Sequence, residues 1–256
     1  KYDTMLRKFS QHRTVGDNMK LGGLTAFVAG MVNVSSLIIF FSFTSNVTGH
    51  YAILAAELVK GNYLQALIVL SWIVLFFLGG FLANFIVISL SQRNTYLAHS
   101  IPLILEIGCL MAVGIYGQWF YMETLRETEI MVSIMLFAMG LQNGLTASIS
   151  NFAVKTTHLT GATTDLGILF SMFIKNKFRK NQEIIDKAKL ICTIFGSYLI
   201  GAVVASYFFN IIRFKIFFAA CLVLVVVLVY DLSKVYLMRF KWKRQVAFNE
   251  KYPINT

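Results

Sequence analysis

The segment Phe43-Thr44-Ser45-Asn46-Val47-Thr48-Gly49-His50 interrupts the first apolar stretch of the chain, and its reading decides the fold. From Leu21 to Ala56 there is no Asp, Glu, Lys or Arg. A spanning helix takes about 20 apolar residues, so this run is too long for one helix and marginal for two. The polar break divides it into a full helix over 22–43 and a short helix over 51–60. Lys60-Gly61-Asn62 then reads as a turn. A second break of the same kind, His158-Leu159-Thr160-Gly161, precedes another short apolar run over 162–174.

Composition excludes most other classes. Hydrophobic residues make up 57% of the 256 residues and charged residues 14%, against about 25% charged in soluble domains. Mean hydropathy is +0.68. A soluble domain of this size cannot hide that much apolar surface, which leaves an all-α polytopic membrane protein. The remaining spanning helices are expected over 64–90, 101–121, 130–150, 190–210 and 215–233, with Pro102 in a tolerated first-turn position.

The breaks belong to an internal repeat. Ala29-Gly30-Met31-Val32-Asn33 resembles Met139-Gly140-Leu141-Gln142-Asn143, Asn46-Val47-Thr48-Gly49 matches His158-Leu159-Thr160-Gly161, and Leu78-Gly79-Gly80-Phe81-Leu82 matches Phe195-Gly196-Ser197-Tyr198-Leu199. The offsets of 110, 112 and 117 keep their order along the chain. Each half reads as one long helix, a Thr-Gly break, a short helix and two long helices. With re-entrant or broken short helices, about six helices span and the two three-helix repeats are inverted. With crossing short helices, eight segments span and the halves are parallel. Tyr51 to Lys60 covers only about 15 Å as a helix, half the hydrocarbon thickness, which favours six. The divisions are then a basic segment 1–20, a first repeat 21–122, a second repeat 130–233 and a basic tail 234–256.

The net charge is +11, and 17 of the 23 basic residues fall in 1–20, 175–189 and the tail from Lys234. Short basic flanks mark the cytoplasmic side, so both termini are placed there. No aromatic-interleaved basic face or motif points to nucleic acid. The first 20 residues are polar and basic, so the first apolar run is expected to act as an uncleaved anchor. Cys109, Cys192 and Cys221 lie scattered in apolar runs, which suggests neither a disulfide framework nor a metal site. No catalytic or cofactor motif appears, so neither an enzyme nor a cofactor is expected.

The candidate solute contacts cluster at the breaks. A half-helix N-terminus inside a membrane suits an anion or a polar solute, which singles out Thr48, Gly49, His50, Thr160, Gly161 and Thr164. Asn33, Gln142 and Asn143 are amides on the first helix of each half; they serve either as interhelical hydrogen-bonding groups or as pore lining. Asp165 and Glu106 are candidates for proton or ion coupling, because a carboxylate at membrane depth faces a cavity or a partner. Asp165 also reads as a first-turn acid on the helix dipole, and Glu106 as a group reaching the interface. Glu57 and Lys60 form a structural pair on one helix face.

At these residues the sequence resembles the YoaK-type family of bacterial membrane proteins, a domain of unknown function. The resemblance is carried by residues 27–33, 43–50, 138–143 and 156–166 and spans about 22–235. It implies a multi-pass bacterial inner-membrane protein with about six helices, and it implies no activity. The family often has Asp where this chain has Asn33, and Asn where it has His50. The expected function is a small-solute or ion transporter or channel in the bilayer, with a homodimer as a possible assembly. The alternative is a non-transporting scaffold or subunit of a larger membrane complex.

Overall fold

The computed structural model of the protein describes residues 15–150, 152–230 and Ser233. Among these residues the regular structure is helical: α1 Val15–Phe40, α2 Val47–Val59, α3 Tyr63–Ser91, α4 Thr95–Trp119, α5 Leu125–Ile149, α6 Leu159–Phe173, α7 Asn176–Arg179, α8 Gln182–Ile212 and α9 Lys215–Tyr230. Five of them, α1, α3, α4, α5 and α8, are long and apolar enough to cross a membrane. The molecule is an integral membrane protein. The tail 234–256 and residues 1–14 of the basic N-terminal segment lie outside the described residues.

Caps set several boundaries that the apolar pattern places elsewhere. The side chain of Asn46 accepts from the Gly49 N–H and starts α2 at Val47, four residues before the expected position. Thr48-Gly49 therefore lies inside the first turn rather than before it. Asn94 accepts from the Tyr96 and Leu97 amides and starts α4 at Thr95, so Pro102 sits two turns inside the helix and not in its first turn. Thr124 and Glu127 form a reciprocal capping box that starts α5 at Leu125. Asn181 caps α8, whose first two turns run through Lys187 and Lys189 on a solvated face.

Glycines fix the two main helix crossings. A Cβ added at Gly30 of α1 would lie 2.1 Å from the Tyr198 carbonyl oxygen of α8, and one at Gly201 the same distance from the Phe27 carbonyl oxygen. At the other crossing, a Cβ on Gly79 of α3 would lie 2.3 Å from the Phe137 carbonyl oxygen of α5, and one on Gly140 2.2 Å from that of Phe76. Small residues at a crossing let backbones approach this closely. Gly196, the sequence counterpart of Gly79, has open space where a Cβ would be; Gly201 stands at the crossing instead.

Contacts along the helices fix their directions. Gly22 meets Ile194 and Gly30 meets Ala202, so α1 and α8 run parallel. Phe76 meets Gly140, Gly80 meets Gly144 and the Ser148 hydroxyl donates to Asn84, so α3 and α5 also run parallel. Phe40, at the end of α1, packs edge-on against Tyr121 just before α5, while Gln142 near the end of α5 donates to the Thr25 carbonyl of α1. Hence α1 and α5 are antiparallel. One end of the bundle gathers Phe40, Gly117, Tyr121 and Phe214. The other gathers Gly22, Val154 and Ile194, with Lys20 over the Tyr230 ring. The core between them is built around Met135, Leu136, Met139, Leu110 and Phe217.

Candidate functional site

Each break folds back along the helix it follows. After Phe40 the chain reverses, and Thr44 comes level with Asn33. Asn33 Oδ1 accepts from the Thr44 backbone N–H at 2.9 Å and from its hydroxyl at 3.2 Å, while Asn33 Nδ2 donates to the Tyr198 hydroxyl at 2.6 Å. After Ile149 the chain does the same. The Thr156 hydroxyl donates to Asn143 Oδ1 at 3.0 Å, and Asn143 Nδ2 donates to Thr157 Oγ1 at 2.6 Å. Thr44 and Thr156 are fully buried. Backbone that leaves helix away from water must find partners within the protein; Asn33 supplies one to the Thr44 N–H, while Asn143 ties its turn through the Thr156 and Thr157 hydroxyls.

The short helices start from these folded-back turns. Asn46 is the N-cap of α2 and His158 that of α6. The Asn46 side chain lies over Gly49 and the His158 ring over Gly161; a Cβ at either glycine would lie 2.7 Å or less from the cap side chain. The glycines of the Thr-Gly pairs thus make room for the caps. The side chains of Thr48, Thr160 and Thr164 are exposed, and the Thr164 hydroxyl donates back to the Thr160 carbonyl.

In the first half the turn is packed shut. His50 is 3% exposed, its Nε2 bonds the Phe43 carbonyl at 3.0 Å, and its ring meets Trp72 of α3 edge-on at 5.5 Å. His50 Nδ1 and Trp72 Nε1 are buried without partners among the described residues. Trp72 lies nine residues into α3, so the start of α2 sits about 14 Å below the α2–α3 turn. At that turn Lys60 Nζ and Asn62 Nδ2 both donate to Glu57, at 2.7 Å each, and hold its carboxyl below the usual carboxylate range.

In the second half the turn borders a pocket of about 580 Å³ between α1, α6, α8 and the α5–α6 connection. Lys155 and His158 enter it from the connection, Asp165 from α6, and Glu183, Asp186 and Lys187 from α8. Leu190, Ile191 and Ile194 form its apolar wall. Asn18 of α1 also lines it, with its Oδ1 buried and without a partner among the described residues. Asp165 pairs with Lys187 at 3.1 Å; their side chains are 43% and 58% exposed, so water screens the pair and it contributes at most about 1 kcal/mol. No group of three or more His, Cys, Asp or Glu that could hold a metal occurs among the described residues.

The model of the family described as "protein of unknown function (DUF1275)" matches residues 21–230. The chain belongs to that family. No curated protein and no solved structure matches it. The matched span contains both breaks, both glycine crossings and the pocket lining except Val15 and Asn18 of α1.

The candidate residues therefore separate into groups. Asn33 and Asn143 are the locks of the two turns. Gln142 Nε2 bridges to the Thr25 carbonyl of α1, and its Oε1 is buried without a partner among the described residues. Gly161 and Asp165 reach the pocket. His50 is packed in the closed half. Glu106 of α4 is fully buried far from either break in sequence, and neither carboxyl oxygen has a hydrogen-bond partner among the described residues. Sequence reasoning missed Tyr198, Thr44, Thr156, Trp72 and Lys187. The repeat offset of 112 pairs Thr44 with Thr156 and could have flagged both. Nothing in the pattern points to Lys187, which lies outside the matched motifs.

Proposed function

We propose that this protein is a small-solute or ion transporter built from two inverted three-helix halves, with six spanning helices and two re-entrant short helices. The observation that carries the reading is the pair of turns locked by Asn33 and Asn143, each starting a short helix inside the bundle from an opposite end. Antiparallel α1 and α5 fit inversion, because parallel halves would align them. The crossings Gly30–Gly201 and Gly140–Gly79 relate the halves by offsets of 110 and 122. With the offset of 112 between the breaks, Ala162 in the open half corresponds to His50 in the closed half, and with the offset of 122, Ile194 corresponds to Trp72. The molecule is then accessible from one end and sealed at the other, as alternating access requires.

The open end carries Lys20, Lys155 and the basic residues of 175–189, and we place it at the cytoplasmic face of a bacterial inner membrane on the positive-inside rule. Asp165 and Glu106 are the coupling candidates. A non-transporting membrane subunit is the second reading, favoured by the dry packing of the first break. Inverted vesicles containing the protein, incubated with a panel of ions, amino acids, organic acids and nucleobases, test the choice. Transport predicts that at least one solute accumulates faster than in vesicles lacking the protein, and that Asp165→Asn alters the pH dependence of that uptake. Uptake equal to the control across the panel, with folded protein in the membrane, rejects transport.

A further inference from the structure

The pocket beside the second break carries charge of both signs over an apolar wall, and that combination names a solute. Asp165 and Lys187 neutralise one another across α6 and α8 at 3.1 Å. What remains is the Lys155 ammonium on the α5–α6 connection and the Glu183 and Asp186 carboxylates on α8. Asp186 is half-buried and held by Gln182 Nε2 at 2.8 Å. Asn18 adds a buried carbonyl acceptor without a partner among the described residues. The volume of about 580 Å³ lies within the range of ligand pockets, about 300–1,000 Å³.

We infer that this pocket binds a zwitterion with an apolar side chain, an α-amino acid or a close analogue. Lys155 holds the carboxylate, Asp186 with Glu183 and the Asn18 carbonyl hold the ammonium, and Leu190, Ile191 and Ile194 take the apolar group. A simple anion of this size faces two carboxylates, and a simple cation faces Lys155; only a solute carrying both charges meets an opposite charge on each wall. The corresponding place in the first half offers no such set, since His50 and Trp72 fill it and Ile53 and Gln65 stand where Asp165 and Lys187 do. The inference rests on the transport reading only for the fate of the solute; binding itself does not require it.

The probes are L-leucine, 3-methylbutylamine, which is leucine without its carboxylate, and 4-methylpentanoate, which is leucine without its ammonium. Their affinities are measured by calorimetry on the full chain in detergent. Leucine is expected to bind at least about tenfold more tightly than either analogue, a difference of about 1.4 kcal/mol. Lys155→Gln is expected to weaken leucine about tenfold and leave 3-methylbutylamine as tight or tighter. Asp186→Asn is expected to weaken leucine and leave 4-methylpentanoate as tight or tighter. Both positions contact solvent, and unchanged melting of the variants without ligand separates binding loss from misfolding. Leucine that fails to bind folded protein, or analogues that match it, overturns the inference. Leucine binding without uptake into vesicles retains the pocket and rejects transport; uptake of another solute without leucine binding retains transport and rejects the zwitterion.

Discussion

Asn33 Oδ1 accepts two hydrogen bonds from Thr44, from the backbone N–H at 2.9 Å and from the hydroxyl at 3.2 Å. One side chain thereby satisfies both hydrogen-bond donors of a residue turned back into the bundle, and its amide ties the turn to Tyr198 on α8. Asn33→Leu leaves the buried Thr44 N–H and hydroxyl without partners, at a cost of about 1–3 kcal/mol for each unsatisfied group. Thermal melting in detergent is expected to drop accordingly. Asn33→Asp is expected to melt close to the wild type, because a carboxylate still accepts from Thr44 and the Tyr198 hydroxyl can reverse to donate. Equal loss in the two variants would contradict the lock.

The glycine crossings predict a contrast between helical glycines. Gly201→Ala and Gly140→Ala place a methyl 2.1 and 2.2 Å from a neighbouring carbonyl oxygen, so the helices must separate. Gly196→Ala and Gly167→Ala meet nothing within 4 Å and gain helix propensity, about 1 kcal/mol at most. The first pair is expected to lower the melting temperature or prevent recovery of folded protein, and the second to leave it unchanged or raised.

The architecture was largely legible because it rests on local signals. Long charge-free runs located the long helices, although α1, α4, α5 and α8 start five to eight residues before the expected positions, and the polar breaks marked the two turns. What escaped was set by tertiary contact or by caps. The sequence pattern singles out Thr48 and Thr160 at the starts of the short helices, yet Asn46 and His158 hold the N-cap positions and the threonines are exposed. The third repeat match falls on Gly196, where an added Cβ meets open space, because apolar helices offer many similar alignments; the close approach is at Gly201. The pocket is lined by residues from α1, α6, α8 and the α5–α6 connection, a set brought together by tertiary contact that no periodicity marks.

The reading of six spans makes a topological prediction. In a background with Cys109, Cys192 and Cys221 replaced by Ala, single cysteines at Arg93, Lys177 and Glu123 are labelled with a membrane-impermeant thiol reagent on intact and permeabilised cells. Positions 93 and 177 are expected to be protected in intact cells and 123 to be labelled. If the short helices cross, position 93 labels in intact cells and 123 does not.

Glu106 predicts an exchange of stability for coupling. Its carboxyl is fully buried with no hydrogen-bond partner among the described residues, so Glu106→Leu removes a desolvated polar group from an apolar place. Melting is expected to rise, by about 1–3 kcal/mol of added stability. If Glu106 carries the coupling proton, uptake in Glu106→Gln loses its dependence on a proton gradient while solute binding persists. A destabilised Glu106→Leu would contradict the reading of this carboxyl as an uncompensated buried group.

On the transport reading, the His50–Trp72 contact is the seal of the closed half. On the register set by the glycine crossings, Val69 corresponds to Ile191, which lines the open pocket. Val69 is fully buried and Ile191 is 8% exposed at the pocket wall, so a cysteine at 69 is expected to react more slowly with a water-soluble thiol reagent than one at 191. Combining Val69→Cys with His50→Ala and Trp72→Ile reproduces the side chains of the open half and is expected to make position 69 reactive from the face opposite to position 191. Truncating a packed Trp costs about 3–5 kcal/mol, and a general loss of folding would make other buried positions reactive too. A cysteine at Val132, fully buried in α5, controls for that. Reactivity confined to position 69 supports a seal made by these two rings; protection at 69 in the folded triple variant shows that the seal lies elsewhere.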